Sequence, residues 1–427
     1  MNLLIVLVFI IGYAGIAFEH PLKINKTASA LLTGVLCWTV YIMGSSNVDL
    51  VSEQLYEHLG QISSILFFLL GAMTIVELID AHDGFDVITS RIRTTDKRKL
   101  LWIISILTFF LSAVLDNLTT TIVMVSLLRK LIDDKPTRMF FVSMVVLAAN
   151  AGGAWTPIGD VTTTMLWIGG QLTTGNIITN LFIPSIVCLI VPLLVLSFSR
   201  AGKVETPQVV ESHQTDKTTP FERKFILALG IGALLFVPFF KTITHLPPFM
   251  GMLFGLAILW IVTELMHKSK NDADKDAYSV VQALRKADVS SVLFFLGILV
   301  AISALESTDQ LRDLALLMDE KIGNINVIVI SIGVLSAIVD NVPLVAAGMG
   351  MYDMTTYPTD HYFWSFLAYC AGTGGSMLII GSAAGVAAMG MEKIDFIWYL
   401  KNITFLAFLG YMGGAGAFLL QHYLVSN

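Results

Sequence analysis

Two short motifs set a carboxylate beside an amide inside otherwise apolar sequence: Asp116-Asn117 within 100–131 and Asp340-Asn341 within 325–350. A charge at the centre of a bilayer costs roughly 2.5–3.5 kcal/mol on insertion scales, so an acid kept at that depth points to a task such as attracting a cation or carrying a proton. The plainer reading is a cap, in which an Asp at a bend accepts from the free N–H groups of the helix that follows. Ser or Asn would cap as well, so a charged residue in both motifs favours the ionic role. The two roles are compatible. Asn117 and Asn341 stand evenly between ligand and cap.

A third carboxylate, Asp160, ends the stretch NAGGAWTPIGD at 150–160, whose two glycines, proline and Gly-Asp cannot hold a regular helix. Its counterpart in the second half is the neutral Ser382, so the site gains one extra acid. Asn150, Thr156, Thr162, Thr163, Thr373, Ser376 and Ser382 add hydroxyl and amide oxygens. With unwound carbonyls they make an oxygen shell for a hard cation such as Na+, held around Asp116, Asn117, Asp160, Asp340 and Asn341. Each single Thr or Ser can equally bond back within its own helix. Burial favours a protonated carboxyl and a bound cation favours an ionised one, so competition of Na+ and H+ for the same acids suffices for exchange. Glu77, about a turn inside its segment, is a second candidate proton carrier, with an interfacial position as the plain alternative. No histidine is given a catalytic role. The chain lacks HExxH, GxSxG and Walker patterns, which argues against a protease, a hydrolase or an ATP-driven pump. It reads as no enzyme and as needing no cofactor, with Na+ and H+ as candidate cargo.

Such a site needs a membrane scaffold, and the composition supplies one. The 427 residues are 55% hydrophobic and only 14% charged, where soluble domains carry about a quarter charged residues. The apolar residues come in runs, as at 65–79, 181–198, 225–240 and 249–262, and a run of about 20 crosses a hydrocarbon core. The net charge of −6 has no basic patch to suggest nucleic acid. Cys37, Cys188 and Cys370 sit in apolar segments at unrelated spacings and read as small buried hydrophobes. Residues 1–18 lack a positive leading region and a clear cleavage site, and are expected to be a retained first span. The fold class is an all-α polytopic membrane protein.

Lys and Arg placement orients the spans, because cytoplasmic loops hold the excess. Lys23 and Lys26 mark the first inner loop. The outer loop 45–61 has no Lys or Arg, and Arg91, Arg93, Lys97, Arg98 and Lys99 mark the next inner one. The apolar segment 100–131 then has positive clusters on both sides, Arg129, Lys130, Lys135 and Arg138 lying beyond it. It is too short for two crossings and fits a re-entrant hairpin from the cytoplasm, with non-helical backbone from Asp116 to Thr121. A broken helix over 138–170 and a span over 181–199 lead to a cytoplasmic linker at 201–224. The second half repeats the scheme upside down. Spans at 225–241 and 249–266 are followed by an inner loop at 267–288 with Lys268, Lys270, Lys275, Arg285 and Lys286. A span at 290–305 precedes a hairpin over 325–350 entering from outside, flanked by Asp309, Asp313, Asp319, Glu320, Asp353 and Asp360. A broken helix at 363–389 and a last span at 396–420 complete ten spans and two hairpins, with both termini outside.

The halves 1–200 and 225–427 also match in sequence. SSILFFL at 63–69 pairs with SSVLFFL at 290–296, LSAVLDN at 111–117 with LSAIVDN at 335–341, NAGG at 150–153 with GTGG at 372–375, and Gly159-Asp160 with Gly381-Ser382. Two inverted repeats of five spans, each with a hairpin and a broken helix, are a secondary-transporter signature with the site at the midplane.

The stretches LSAVLDNLTTTIVM, ANAGGAWTPIGDVTTTMLW, LSAIVDNVPL and AGTGGSMLIIGSAAGVAAMG resemble the NhaD-type Na+/H+ antiporters of the ion transporter superfamily. The resemblance implies a homodimer in a bacterial inner membrane, with a scaffold and a transport domain that shifts in an elevator manner. It carries over Asp116, Asn117, Thr119, Asn150, Asp160, Thr162, Thr163, Asp340, Asn341, Ser376 and Ser382 as site residues. Sodium-coupled dicarboxylate carriers of the same superfamily have Ser-Asn-Thr at their hairpin tips. The Asp-Asn tips here would repel a dicarboxylate and suit a small cation. Sodium-coupled symport of a small anion is the alternative. A passive channel or a receptor leaves the paired motifs or the buried acids unexplained.

Overall fold

The computed structural model describes residues 2–92, 94–199, 202–205, 218–268 and 278–426. Among these residues the regular structure is nearly all helix. The one extended pairing is an isolated bridge between Asp96 and Lys203. Eight helices are long and apolar enough to cross a membrane: Lys26–Gly44, Val48–Ala81, Lys97–Leu115, Thr174–Phe198, Pro220–Thr244, Pro248–Met266, Val289–Ser307 and Thr404–Val425. The shortest of them, at 19 residues, measures about 28 Å, close to the thickness of a hydrocarbon core. This is a multi-pass membrane protein.

Polar residues start these helices where the apolar runs begin. Asn25, Asn47, Asp96 and Asp288 each accept from a backbone N–H in the first turn that follows. Thr219 and Glu222 form a reciprocal capping box ahead of the apolar run that begins at Phe225. Cys37, Cys188 and Cys370 are free and buried.

Four segments differ from the sequence-based expectations. The outer loop expected at 45–61 is mostly helix, since Val48–Ala81 runs unbroken for 34 residues. Val48, Val51, Leu55 and Ile62 recur at helical spacing through this polar stretch, with Val51 and Ile62 buried. The acidic flank before the second hairpin contains the amphipathic helix Gln310–Ile322, which buries Leu311 and Ala315. The non-helical stretch expected from Asp116 to Thr121 shrinks to Asp116 alone, because Asn117–Leu131 is already helix. The last span, expected from 396, divides into Phe396–Asn402 and Thr404–Ser426. Arg93, the linker positions 206–217 and the loop positions 269–277, Lys270 and Lys275 included, lie outside the described residues.

Around the site four interrupted elements interleave. Lys97–Leu115 and Asn117–Leu131 meet at Asp116, and Ile325–Leu335 and Asn341–Met351 meet across 336–340. Lys135–Gly153 and Val161–Ile168 are separated by 154–160, and Tyr362–Gly374 and Ala383–Glu392 by 375–382. Lys97–Leu115 packs on Lys135–Gly153, and in the same way Ile325–Leu335 packs on Tyr362–Gly374. Each pair crosses at a glycine. A Cβ on Gly152 would run into the Phe109 carbonyl, and one on Gly374 into the Gly333 carbonyl. Beside each crossing a serine ties the pair: Ser112 Oγ donates to Ala149 O at 2.6 Å, and Ser336 Oγ donates to Ala371 O at 2.8 Å. The ends then exchange partners. Ala383–Glu392 lies on Asn117–Leu131, and Val161–Ile168 lies on Asn341–Met351.

Candidate functional site

Four helix N-termini converge where these elements break, and each begins with a capping side chain. Asp116 Oδ1 accepts from Thr119 N at 2.8 Å, and its Oδ2 accepts from Thr119 Oγ1 at 2.9 Å. Asp340 Oδ1 accepts from Val342 N at 3.2 Å. Asp160 Oδ1 accepts from Thr162 N at 2.9 Å and Thr162 Oγ1 at 2.8 Å. Ser382 Oγ accepts from Gly385 N at 3.2 Å. Positive helix ends aimed at one region favour negative charge there.

Asp116 adopts φ 84° and ψ 160°, a region that glycine enters freely and other residues enter at a cost of about 1–3 kcal/mol. The chain keeps an aspartate where glycine would fit the backbone better.

The asparagines join the caps into a network. Asn117 Nδ2 donates to Asp160 Oδ2 at 2.6 Å and to Asn150 Oδ1 at 2.9 Å. Asn150 Nδ2 donates in turn to Ser376 Oγ at 2.8 Å and Ser382 Oγ at 2.9 Å. Asn341 Nδ2 reaches Asp160 Oδ1 at 3.5 Å. Asp160 is 1% exposed, and it draws donors from both Asp-Asn motifs. Donors reach both of its oxygens, so the buried carboxyl group is well satisfied.

The structure brings Asn117, Asn150, Asp160, Thr162, Asn341, Ser376 and Ser382 into this one network. Asp116, with Thr119, and Asp340 flank it, each next to the asparagine whose amide reaches Asp160. The three acids do not share one pocket of ligands; among the described residues no group of three or more His, Cys, Asp or Glu side chains is placed to hold a metal ion. Three threonines serve the backbone instead. Thr156 Oγ1 donates to Ala113 O, Thr163 Oγ1 to Thr156 O and Asp160 O, and Thr373 Oγ1 to Tyr369 O. Glu77 stands apart, on the wall of a cavity of about 480 Å³. That cavity runs from Asp86, Lys130 and Lys286 to Leu118 and Thr119, beside the Asp116 cap, and Lys26 is part of its wall.

Several residues near the site carried no signal in the sequence. Tyr13 lies in the first apolar run, yet its hydroxyl accepts from Asp340 N at 3.2 Å. The buried Tyr399 donates through Oη to Ser376 O at 2.8 Å. Lys26, read only as an orienting charge, places Nζ 3.8 Å from Asp340 Oδ2. Glu392 receives Arg129 Nε at 2.5 Å and Arg138 Nε at 2.8 Å, while Arg129 also bonds the Met391 carbonyl. This clamp ties the first Asp-Asn element to the last broken helix at their far ends. The Lys26 and Glu392 pairings need partners more than 250 residues distant, so spacing alone could not reveal them.

A family model described as "CitMHS: Citrate transporter" matches residues 6–368. The chain is 50% identical over 420 residues to Sodium/proton antiporter 1 of Arabidopsis thaliana, a match covering 98% of this chain and 72% of that protein. It is 49% identical over 402 residues to Sodium/proton antiporter 2 of the same plant, covering 93% and 94%. It is 32% identical over 431 residues to Na(+)/H(+) antiporter NhaD of Vibrio cholerae, covering 92% and 87%. These are transporters and not enzymes. The chain belongs to this transporter family and, within it, to the NhaD-type Na+/H+ antiporters.

Proposed function

We propose that this protein exchanges cytoplasmic Na+ or Li+ for external H+, serving pH and sodium balance, with Asp116, Asp160 and Asp340 as the carboxylates that ion and proton visit in turn. Asn117, Thr119, Asn150, Thr162, Asn341, Ser376 and Ser382 position these acids and lend oxygens to the ion. Thr156, Thr163 and Thr373 hold the unwound backbone in shape. Glu77, in the cavity wall, relays the proton. The single observation that carries this reading is Asp160, a buried carboxylate held by amide donors from both Asp-Asn motifs. The antiporter names of the relatives point the same way.

The reading extends to architecture. The recurring helix pairs, the matched glycine crossings and the alternating charge of the loops support two inverted repeats, residues 1–200 and 225–427, joined by a cytoplasmic linker at 201–224. On this reading the segments 100–131 and 325–350 are re-entrant hairpins, and both termini face outward. They form a transport domain with the broken helices at 138–170 and 363–389, and that domain slides past a scaffold in a homodimer. The membrane is a bacterial inner membrane. The cavity beside Thr119 then gives access from the cytoplasm.

Sodium-coupled uptake of a small anion is the competing reading, and the description of the matching family names citrate. The Asp-Asn motifs speak against it here, because two tip carboxylates repel an anion that carries several charges. Everted vesicles from cells lacking their own antiporters test the choice. A ΔpH dye is followed as NaCl, LiCl, KCl and a dicarboxylate are added in turn, for wild type and Asp340→Asn. Dequenching by Na+ or Li+, lost in the variant, is expected. Silence towards every cation, with uptake of labelled dicarboxylate, would overturn the proposal.

A further inference from the structure

Lys26 is the first residue of the helix Lys26–Gly44 and sits against the second Asp-Asn motif. Its Nζ lies 3.8 Å from Asp340 Oδ2 and 4.4 Å from the centroid of the Phe294 ring. The backbone around it is fastened. Lys26 N donates to Glu19 Oε1 at 3.1 Å, and Asn25 caps the helix through Thr27 N. The next residue, Thr27, bonds to Ser290, four residues before Phe294. Phe294 is 1% exposed, so the ammonium rests on a ring that cannot move aside. The lysine and aspartate side chains are 26% and 16% exposed, and Lys26 also lines the cavity that reaches Thr119. An ammonium in this position is a tethered cation within reach of the carboxylate that would meet the travelling one.

We infer that Lys26 is a built-in competitor for Asp340: its ammonium and Na+ take turns on the same carboxylate. This rests on the exchange reading above. No proton moves in this step. The ion pair between Nζ and Oδ2 opens, Na+ takes the carboxylate oxygen, and the lysine swings into the adjoining cavity with its charge intact. Release of Na+ lets it return. The consequence is that Asp340 need never stand as a bare anion while the carrier resets. A long, flexible, strongly hydrated side chain suits a partner that must let go repeatedly.

A purely structural lysine and a competing one predict opposite changes. Losing a structural contact would weaken Na+ binding or leave it alone. Losing a competitor tightens it. The test is Na+-driven dequenching across a NaCl titration in everted vesicles, with wild type, Lys26→Gln, Lys26→Met and Lys26→Arg side by side. Phe294→Leu is a second route that loosens the ammonium without removing it. Both uncharged variants are expected to lower the half-saturating Na+ by roughly two- to fivefold, the size of a partly exposed ion pair, with a lower maximal rate. Lys26→Arg should stay near wild type and Phe294→Leu should fall between. An unchanged or raised half-saturation in both uncharged variants, with wild type exchanging normally, overturns the inference alone. A wild type that ignores Na+ in these vesicles removes the exchange reading and the inference together.

Discussion

Asp160 and Ser382 hold the same position in the two broken helices, each capping the half-helix that follows it, yet one is an acid and the other a hydroxyl. Asp160 caps through Thr162 and Ser382 through Gly385, and Asn150 and Asn117 link the two across the middle of the molecule. The capping requirement is therefore met by either residue type, and the charge at Asp160 answers to something else.

Asp160→Asn separates these roles. Asparagine caps about as well as aspartate, so the variant is expected to fold and to melt close to wild type. It removes the one charge that the Asn117 and Asn341 amides face. Na+-driven dequenching should drop at least about tenfold, a loss of ~1.4 kcal/mol or more in the step that uses the charge. Wild-type exchange in this variant would show that a neutral cap suffices.

Asp116→Gly tests the strained bend. Glycine relieves the positive φ, and this offsets the loss of the two hydrogen bonds from Thr119. Stability should change by no more than about 1 kcal/mol in a detergent unfolding assay, while Na+ exchange disappears. Asp116→Ala lacks the relief and should be the less stable of the two. If Asp116→Gly transports normally, the aspartate serves only its turn.

Glu392 offers a pH test at the helix ends. Burial alone would push its carboxyl up, but the hydrogen bonds and charges of Arg129 and Arg138 outweigh it and hold the group below its ordinary value of 4.5. A lowered value in the folded protein means that the clamp stabilises fully above the ordinary value and is lost as the pH falls beneath it. Melting of wild type should therefore decline more steeply than that of Glu392→Gln as pH drops below 4.5. At neutral pH the variant is expected to be weaker by about 1–3 kcal/mol, between the ranges for exposed and buried pairs. Parallel melting curves across that window would show that the clamp contributes nothing.

The breaks in the helices were readable from residue types alone. Pro157 and Gly159 fall in the break at 154–160, although Gly152 and Gly153 still belong to the helix before it, and Asp116 and Asp340 are the single charges within otherwise uncharged runs. The helix from Val48 was hidden because hydropathy reports contact with lipid, and this stretch buries one narrow stripe while carrying Asp49, Glu53 and Glu57 outward. Gln310–Ile322 escaped for the same reason. Thr156, Thr163 and Thr373 could not be sorted from Thr162 by type, since the choice between carbonyl and carboxylate partner depends on where a neighbouring helix stops. Lys26 and Glu392 were invisible as site residues because each acts through a partner in the other half.

The exchange of partners between the broken helices also sets the order in which this protein can mature. Asn117 and Asp160 leave the ribosome together, but Asn341, Ser376 and Ser382 follow some two hundred residues later, and Glu392 later still. Until then the first half must wait in the membrane with polar groups aimed at a gap. On the proposed exchange reading, the ion pathway is assembled only near the end of synthesis, so a nascent or truncated chain has no finished route through which ions could leak.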